Sequence, residues 1–344
     1  MSTPAPTASI LVSDPTLRDG NHAVKHGLTG EQMRRYAAAA EAAGLPILEV
    51  GHGNGLGASS MQVGLAAISD EEMLTVTRAE LSQTKLAVHV IPGFATIRRE
   101  LALAIELGVD VFRIASHCTE ADLTQRHITH VREQSREVYG VLMMTHMAAP
   151  ETLREEALKM ASYGAEGVVL MDSAGAFLPP DVTRRVGDLV EHLDIPIGFH
   201  AHNNLGSAIA NSVAAVQAGA TIVDGTARGF GAGAGNAQLE VLVAVLEKLG
   251  YPTGVDLYKV LEASDVAEAE LMPKVPTIDS VSVVSGLAGV FSGFAAPVKR
   301  IAAEYRVDPR DVFFELGRRK VVAGQEDLIM EVAAELARGR EALA

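Results

Sequence analysis

Residues 197–224 read IGFHAHNNLGSAIANSVAAVQAGATIVD, and this stretch decides the fold. Ile197–Ala201 is an apolar run of strand length, and a polar turn follows it. Gly206–Ala218 then carries its apolar residues at helical spacing, Gly219 suits the left-handed residue that closes a helix, and Thr221–Asp224 is a second apolar run. Strand, crossover helix and strand in this order make a βαβ unit, because parallel strands need a long connection where antiparallel ones need only a tight turn.

Outward from this unit the alternation repeats. Further strands are predicted at Ile10–Thr16, Ile47–Val50, Leu86–Ile91, Val111–Ala115, Val141–Thr145 and Val168–Met171, giving eight in all. Helices are predicted at Thr29–Ala43, where Thr29 and Gln32 have capping-box spacing, and at Glu71–Leu81, Ile97–Leu107, Ala121–Tyr139, Glu151–Tyr163, Pro180–His192 and Ala237–Leu249. Eight βα units ending near Gly250 fit a closed α/β fold, the (β/α)8 TIM barrel, with an open doubly wound sheet as the alternative. After Tyr251-Pro252 the alternation stops, and residues 257–340 read mostly as helix. The expected organisation is a flexible N-terminus at 1–9, a catalytic barrel at 10–255 and a C-terminal helical domain at 256–344. No glycine-serine linker separates the last two, so the helical domain is expected to pack on the barrel.

Composition narrows the function. The 344 residues are 48% hydrophobic and 21% charged, which supports a globular core. Lysine and arginine number 29 against 43 aspartates and glutamates, and the resulting charge of −14 opposes binding to nucleic acid or to an anionic membrane. Cys118 is the single cysteine, which excludes a disulfide framework and a four-cysteine zinc site and makes the cytoplasm the expected compartment. No signal peptide or membrane-spanning apolar run is visible.

In a barrel, reactive groups sit where strands end in their carboxyl-side loops. Strand one ends in Thr16-Leu17-Arg18-Asp19-Gly20-Asn21-His22, strand two in Glu49-Val50-Gly51-His52-Gly53-Asn54 and strand seven in His200-Ala201-His202; strands five and six end in His146 and Asp172-Ser173. His200 and His202, two apart on a strand, project to one face and can grip one metal ion. Asp19 is the candidate third ligand, because closure brings strand one beside strands seven and eight; the alternatives are a helix cap or a salt bridge to Arg18 for Asp19, and a hydrogen-bonded or surface pair for the two histidines. Asp-His-His suits Mn2+ or Mg2+, with zinc open on ligand type alone. Arg18 can stabilise an enolate or carboxylate oxygen or form a rim ion pair; His22 is a general-base candidate or a solvent-facing loop histidine. The run Gly225–Asn236 can offer amides to an anion or serve as a tight turn.

The phrases Asp14-Pro15-Thr16-Leu17-Arg18-Asp19-Gly20-Asn21-His22 and His200-Ala201-His202-Asn203-Asn204-Leu205-Gly206 resemble those of the DRE-TIM metallolyases. Within that superfamily the chain is most similar to the 4-hydroxy-2-oxovalerate aldolases, through Gly51–Gly57, Leu142–Met147, Met171–Gly175, Gly231–Asn236 and Gly324–Ile329. The resemblance implies a barrel with a helical communication domain and a divalent metal, usually Mn2+. It also implies cleavage of a 4-hydroxy-2-oxoacid to pyruvate and an aldehyde such as acetaldehyde or propanal, reversibly. Carried over by position, Asp19, His200 and His202 would be metal ligands, Arg18 would stabilise the enolate, His22 would be the base and Ser173 would hold the pyruvyl carboxylate. An acylating aldehyde dehydrogenase is the implied partner, in a homo- or hetero-oligomer, and the pathway suggested is breakdown of aromatic compounds or steroid rings. Two positions depart from the family. Phe291 and Gly293 stand where its Ala-Gly-Val-Tyr-Ser-Ser phrase has tyrosine and serine, so Phe291 replaces a phenol associated with the active site and stereochemical control; Asn54 stands where aspartate is usual. The alternatives are a Claisen-type acyl-CoA synthase of the same superfamily and a non-catalytic scaffold for a dehydrogenase.

Overall fold

The computed structural model describes residues 9–341. Apart from Ser9, the N-terminal segment expected to be flexible lies outside the described residues. The chain begins β1 (Leu11–Leu17), α1 (Gly20–Ala23), α2 (Gly30–Ala42), β2 (Ile47–Val50), α3 (Asp70–Arg78), β3 (Lys85–Val90) and α4 (Ala102–Glu106). It continues with β4 (Val111–His117), α5 (Gln125–Glu133), β5 (Glu137–Met143), α6 (Pro150–Ser162), β6 (Gly167–Asp172), α7 (Pro179–His192), β7 (Ile197–Ala201), α8 (Ala208–Gln217), β8 (Ile222–Asp224) and α9 (Leu239–Lys248). Five helices complete it: α10 (Leu257–Glu270), α11 (Ser280–Ala288), α12 (Ala295–Tyr305), α13 (Pro309–Arg318) and α14 (Asp327–Glu341).

The eight strands close in sequence order, and β1 meets β8 in parallel through Leu11↔Ile222, Val12↔Val223 and Ser13↔Asp224. This is the expected TIM barrel, and closure leaves no open sheet edge. The Thr29–Gln32 capping box opens α2, and Gly219 closes α8 at φ +105°. One element is a correction. The predicted helix Ala121–Tyr139 stops at Glu133, Ser135 turns the chain at φ +56°, and Glu137–Met143 is the fifth strand. Helix-favouring charged residues continue the helical pattern beyond its end, whereas seven paired positions on β4, from Val111↔Glu137 to His117↔Met143, hold this segment in the barrel.

The main core lies between the sheet and its helices, and it includes Val260, Ala263, Ala267 and Leu271 of α10 and its end. A second core begins at Val281 and joins α11 to α14 around Phe294, Phe313 and Leu316. The helical domain packs on the barrel. Ser292 N donates to Ser173 O (2.9 Å), Asn204 Nδ2 to Ser292 Oγ (2.9 Å), and His146 Nε2 to Gly289 O (2.8 Å). Cys118 is buried, its thiol pushed up to about 12 by that burial. No helix among the described residues is long and apolar enough to cross a membrane.

The end of β1 is built to turn. Its pairing with β2 shifts register between Asp14 and Leu17, a bulge that re-aims the following residues. Asp14 accepts from Thr16 N (2.9 Å), from the Thr16 hydroxyl and from the Tyr36 hydroxyl (2.6 Å), while Thr16 Oγ1 accepts from Ala227 N (2.9 Å) beyond β8. Burial still pushes the Asp14 carboxyl up to about 6, the three donors notwithstanding. Its folded value thus exceeds the ordinary 3.8, so the native state binds this proton more tightly. That contribution is present below pH ~4 and is lost as pH rises through ~6. Asp14→Asn is expected to remove it. In denaturant titrations the wild type should lose on the order of 2 kcal/mol relative to the variant between pH ~4 and ~7; parallel stability curves would refute the assignment.

Candidate metal centre and active site

Asp19, His200 and His202 meet at the carboxyl-end mouth of the barrel, with one potential ligand atom from each lying within 4.8 Å of the others and all three residues buried. The tautomers follow from the hydrogen bonds. His200 Nδ1 lies 2.8 Å from Asp224 Oδ2, and His202 Nδ1 lies 3.0 Å from the Asp172 carbonyl, which can only accept. Each Nδ1 therefore carries the proton and each Nε2 presents a lone pair. Both Nε2 atoms are buried without a hydrogen-bond partner. Two orphaned imidazole lone pairs beside a carboxylate fit a divalent cation, and the carboxylate and carbonyl behind the rings are the usual supports of ligating histidines.

Arg18 and Asp19 leave the β1 bulge together. Arg18 Nη1 lies 2.8 Å from Asp19 Oδ1, and Nε lies 2.6 Å from Glu49 Oε1. Its Nη2 is buried and unpartnered, available to an anionic oxygen. Burial alone would raise the Asp19 pKa, yet Arg18, His202 and His22 hold the carboxyl far below the usual carboxylate range. Asn236 Nδ2 donates to Asp19 Oδ2 at 2.5 Å and fixes the other side of the group. Glu49 is held down at about 2, because Arg18 and Arg113 outweigh its burial. Arg113 reaches Glu49 Oε2 (3.2 Å) and Asp224 Oδ2 (2.6 Å), so the ion pairs run on to the group that orients His200.

His22 is half-buried in α1, the short helix within the loop region after β1, and its ring nitrogens have no hydrogen-bond partner among the described residues. Burial pushes its pKa down to about 3, with Asp19 opposing, so the imidazole is neutral near pH 7. Its ring meets His26 edge-on at 5.3 Å and Phe291 edge-on at 6.3 Å; His26 in turn stacks on His52 at 3.5 Å. Phe291 leans over Gly293, where a Cβ would stand 2.4 Å from the ring. Ser173 is buried and its Oγ accepts from Met144 N (2.9 Å), leaving the hydroxyl proton to donate. His146 is drawn away to Gly289, and Asn54 donates its backbone N–H to His52 Nδ1.

Comparison with known proteins places the chain in a family. A family model described as HMGL-like matches residues 9–267, and one described as DmpG-like communication domain matches 276–338. The chain is 62% identical over 332 residues to the 4-hydroxy-2-oxovalerate aldolase of Pectobacterium atrosepticum, covering 96% of this chain and 97% of that one. It is 58% identical to the enzyme of that name from Streptomyces tendae, covering 96% and 93%. The chain belongs to the 4-hydroxy-2-oxovalerate aldolase family. At the level of fold alone, the carboxyl transferase domain of Rhizobium etli pyruvate carboxylase superposes with a TM-score of 0.82 at 17% identity, over 96% of this chain and 62% of that one.

The residues that support the triad were harder to find than the triad itself. Sequence reading singled out neither Arg113, Asp224 nor Asn236. Asp224 and Glu49 carried a signal, a carboxylate closing or interrupting an apolar strand, whereas Asn236 lay unmarked in a glycine run. That run has a steric duty in this aldolase: a Cβ on Gly231 would sit 2.4 Å from Asp19 Oδ2 and 2.3 Å from Asn236 Nδ2. Gly231→Ala is expected to displace Asp19 and weaken divalent-cation binding, titrated calorimetrically with Mn2+ as the probe, by about tenfold to a hundredfold, with the fold retained by circular dichroism. Unchanged affinity would show that the loop yields instead.

Proposed function

We propose that this site performs the retro-aldol cleavage of 4-hydroxy-2-oxopentanoate (4-hydroxy-2-oxovalerate) and related 4-hydroxy-2-oxoacids to pyruvate and an aldehyde, and the reverse addition. The observation that carries the reading is the pair of unpartnered Nε2 atoms on His200 and His202 beside Asp19, in a chain similar to aldolases along nearly its whole length. That length of similarity favours a carbon-carbon lyase over an acyl-CoA synthase or a bare scaffold. Asp19, His200 and His202 would hold the metal, Mn2+ in our reading with Mg2+ as the alternative. When bound, such an ion supplies Lewis acidity toward the carboxylate and keto oxygens of a 2-oxoacid.

The chain's own groups account for the remaining work. Arg18, held by Asp19 and Glu49, directs its free Nη2 to the oxygen on which negative charge grows as the C3–C4 bond breaks. Neutral His22 takes the proton of the 4-hydroxyl; the electron pair of the C3–C4 bond passes to the enolate, the aldehyde departs, and the proton held by His22, returned directly or through solvent to C3, completes pyruvate and restores the neutral imidazole. Ser173 donates to the substrate carboxylate. Phe291 offers an apolar edge toward His22 in place of a hydroxyl donor, so the aldehyde end of the substrate meets a wall without polarity. The helical domain fits docking of an acylating aldehyde dehydrogenase, which would consume the aldehyde. Its match to a communication domain supports that reading.

Metal-stripped protein should release little pyruvate from 4-hydroxy-2-oxopentanoate, and added Mn2+ should restore release. Asp19→Ala is expected to lose at least about a thousandfold in kcat/KM and His22→Ala about a hundredfold in kcat, both read by coupled lactate dehydrogenase assay. Metal-independent release, or full activity in Asp19→Ala, would overturn the assignment.

A further inference from the structure

Above the site lies a cleft of about 290 Å³, bounded by His22 and Lys25 on the loop after β1, by Gly231 in the run after β8, and by Lys274, Asp279 and Lys299 on the helical side. It reaches the site at two points. His22 lines it directly, and Gly231 is the residue whose Cβ would touch Asp19.

The charge of this cleft runs against that of the molecule. The chain has only eight lysines and a net charge of −14, yet three of the lysines line this one cleft, facing a single carboxylate. Lys299 is neutralised, its Nζ 2.7 Å from Asp279 Oδ2. Lys25 and Lys274 are exposed, and neither side chain forms an ion pair among the described residues. Other cations are paired, Arg228 alone meeting Glu240, Asp265 and Glu268, while Lys248 and Lys320 likewise form no ion pair among the described residues; what marks Lys25 and Lys274 is that they share one cleft. Lys25 stands at φ +55° in a tight turn, and Pro273 and Pro276 bracket Lys274.

We infer that this cleft is the way in for the anionic 2-oxoacid, with Lys25 and Lys274 as steering residues. A molecule of strongly negative charge repels a carboxylate at long range, whereas two uncompensated cations on a concave wall focus a local positive field onto the path to His22. The neutral aldehyde feels no such field. The inference rests on the aldolase reading and names the route and the attraction that serve its charged substrate.

The addition direction supplies an internal control, because one substrate is charged and the other is not. Metal-loaded full-length protein would be assayed with pyruvate and acetaldehyde, as wild type, as the double variant Lys25→Gln with Lys274→Gln, and as the corresponding double Lys→Arg variant. The glutamine pair is expected to raise the KM for pyruvate about tenfold at low ionic strength, with kcat and the acetaldehyde KM within about twofold. The difference should collapse at about 0.5 M salt, and the arginine pair should behave as wild type. The wild type gives a second reading that needs no variant: salt should raise its pyruvate KM and leave its acetaldehyde KM in place. A pyruvate KM unmoved by both charge removal and salt, or an equal rise in both KM values, would overturn the steering role while leaving the aldolase intact. A wild type that turns over neither substrate would bring down the aldolase reading, and this inference with it.

Discussion

A file of buried charge crosses the barrel, from Asp19 through Arg18, Glu49, Arg113 and Asp224 to His200, and the active site hangs on it. Each member is removed from water, so each depends on its neighbours to offset desolvation. Breaking one link strands a charge in a medium that tolerates it poorly, and the file therefore keeps its geometry. Its value lies in placement: apolar side chains could fill the same volume at no loss of stability, but they could not hold a carboxylate and an imidazole at fixed separation.

The file also divides the barrel interior. Ala115, Val141, Val169 and Met171 form an apolar cluster between β4, β5 and β6, while Arg113 carries the file from β4 to Glu49 on β2 and Asp224 on β8. The helical domain is tied to the ends of β5, β6 and β7, through His146, Ser173 and Asn204. Ser173 belongs to both relations, since its hydroxyl is set by the barrel and its carbonyl receives Ser292 from the helical domain. Barrel and helical domain thus meet on one residue.

What could be read from the sequence followed from local rules. Period-two projection put His200 and His202 on one face, and closure of eight βα units brought Asp19 to them across 181 residues of chain. The supports were not legible, because their meaning lies in partners distant along the chain. Arg113 and Asp224 are 111 residues apart, and Asn236 and Asp19 are 217 apart. The fifth strand was misplaced for a related reason: helix propensity is local, whereas the pairing with β4 that overrides it is read only once the barrel exists.

Phe291 and Gly293 show how such packing constrains change. The ring occupies the space that any side chain at 293 would need. Exchanging Phe291 for tyrosine adds only a hydroxyl at the ring's far end, but giving position 293 a Cβ evicts the ring from its present rotamer, which leans beside His22. The two positions are epistatic. A side chain at 293 therefore requires the ring at 291 to move or to change with it, so libraries that vary 293 alone would meet the ring each time.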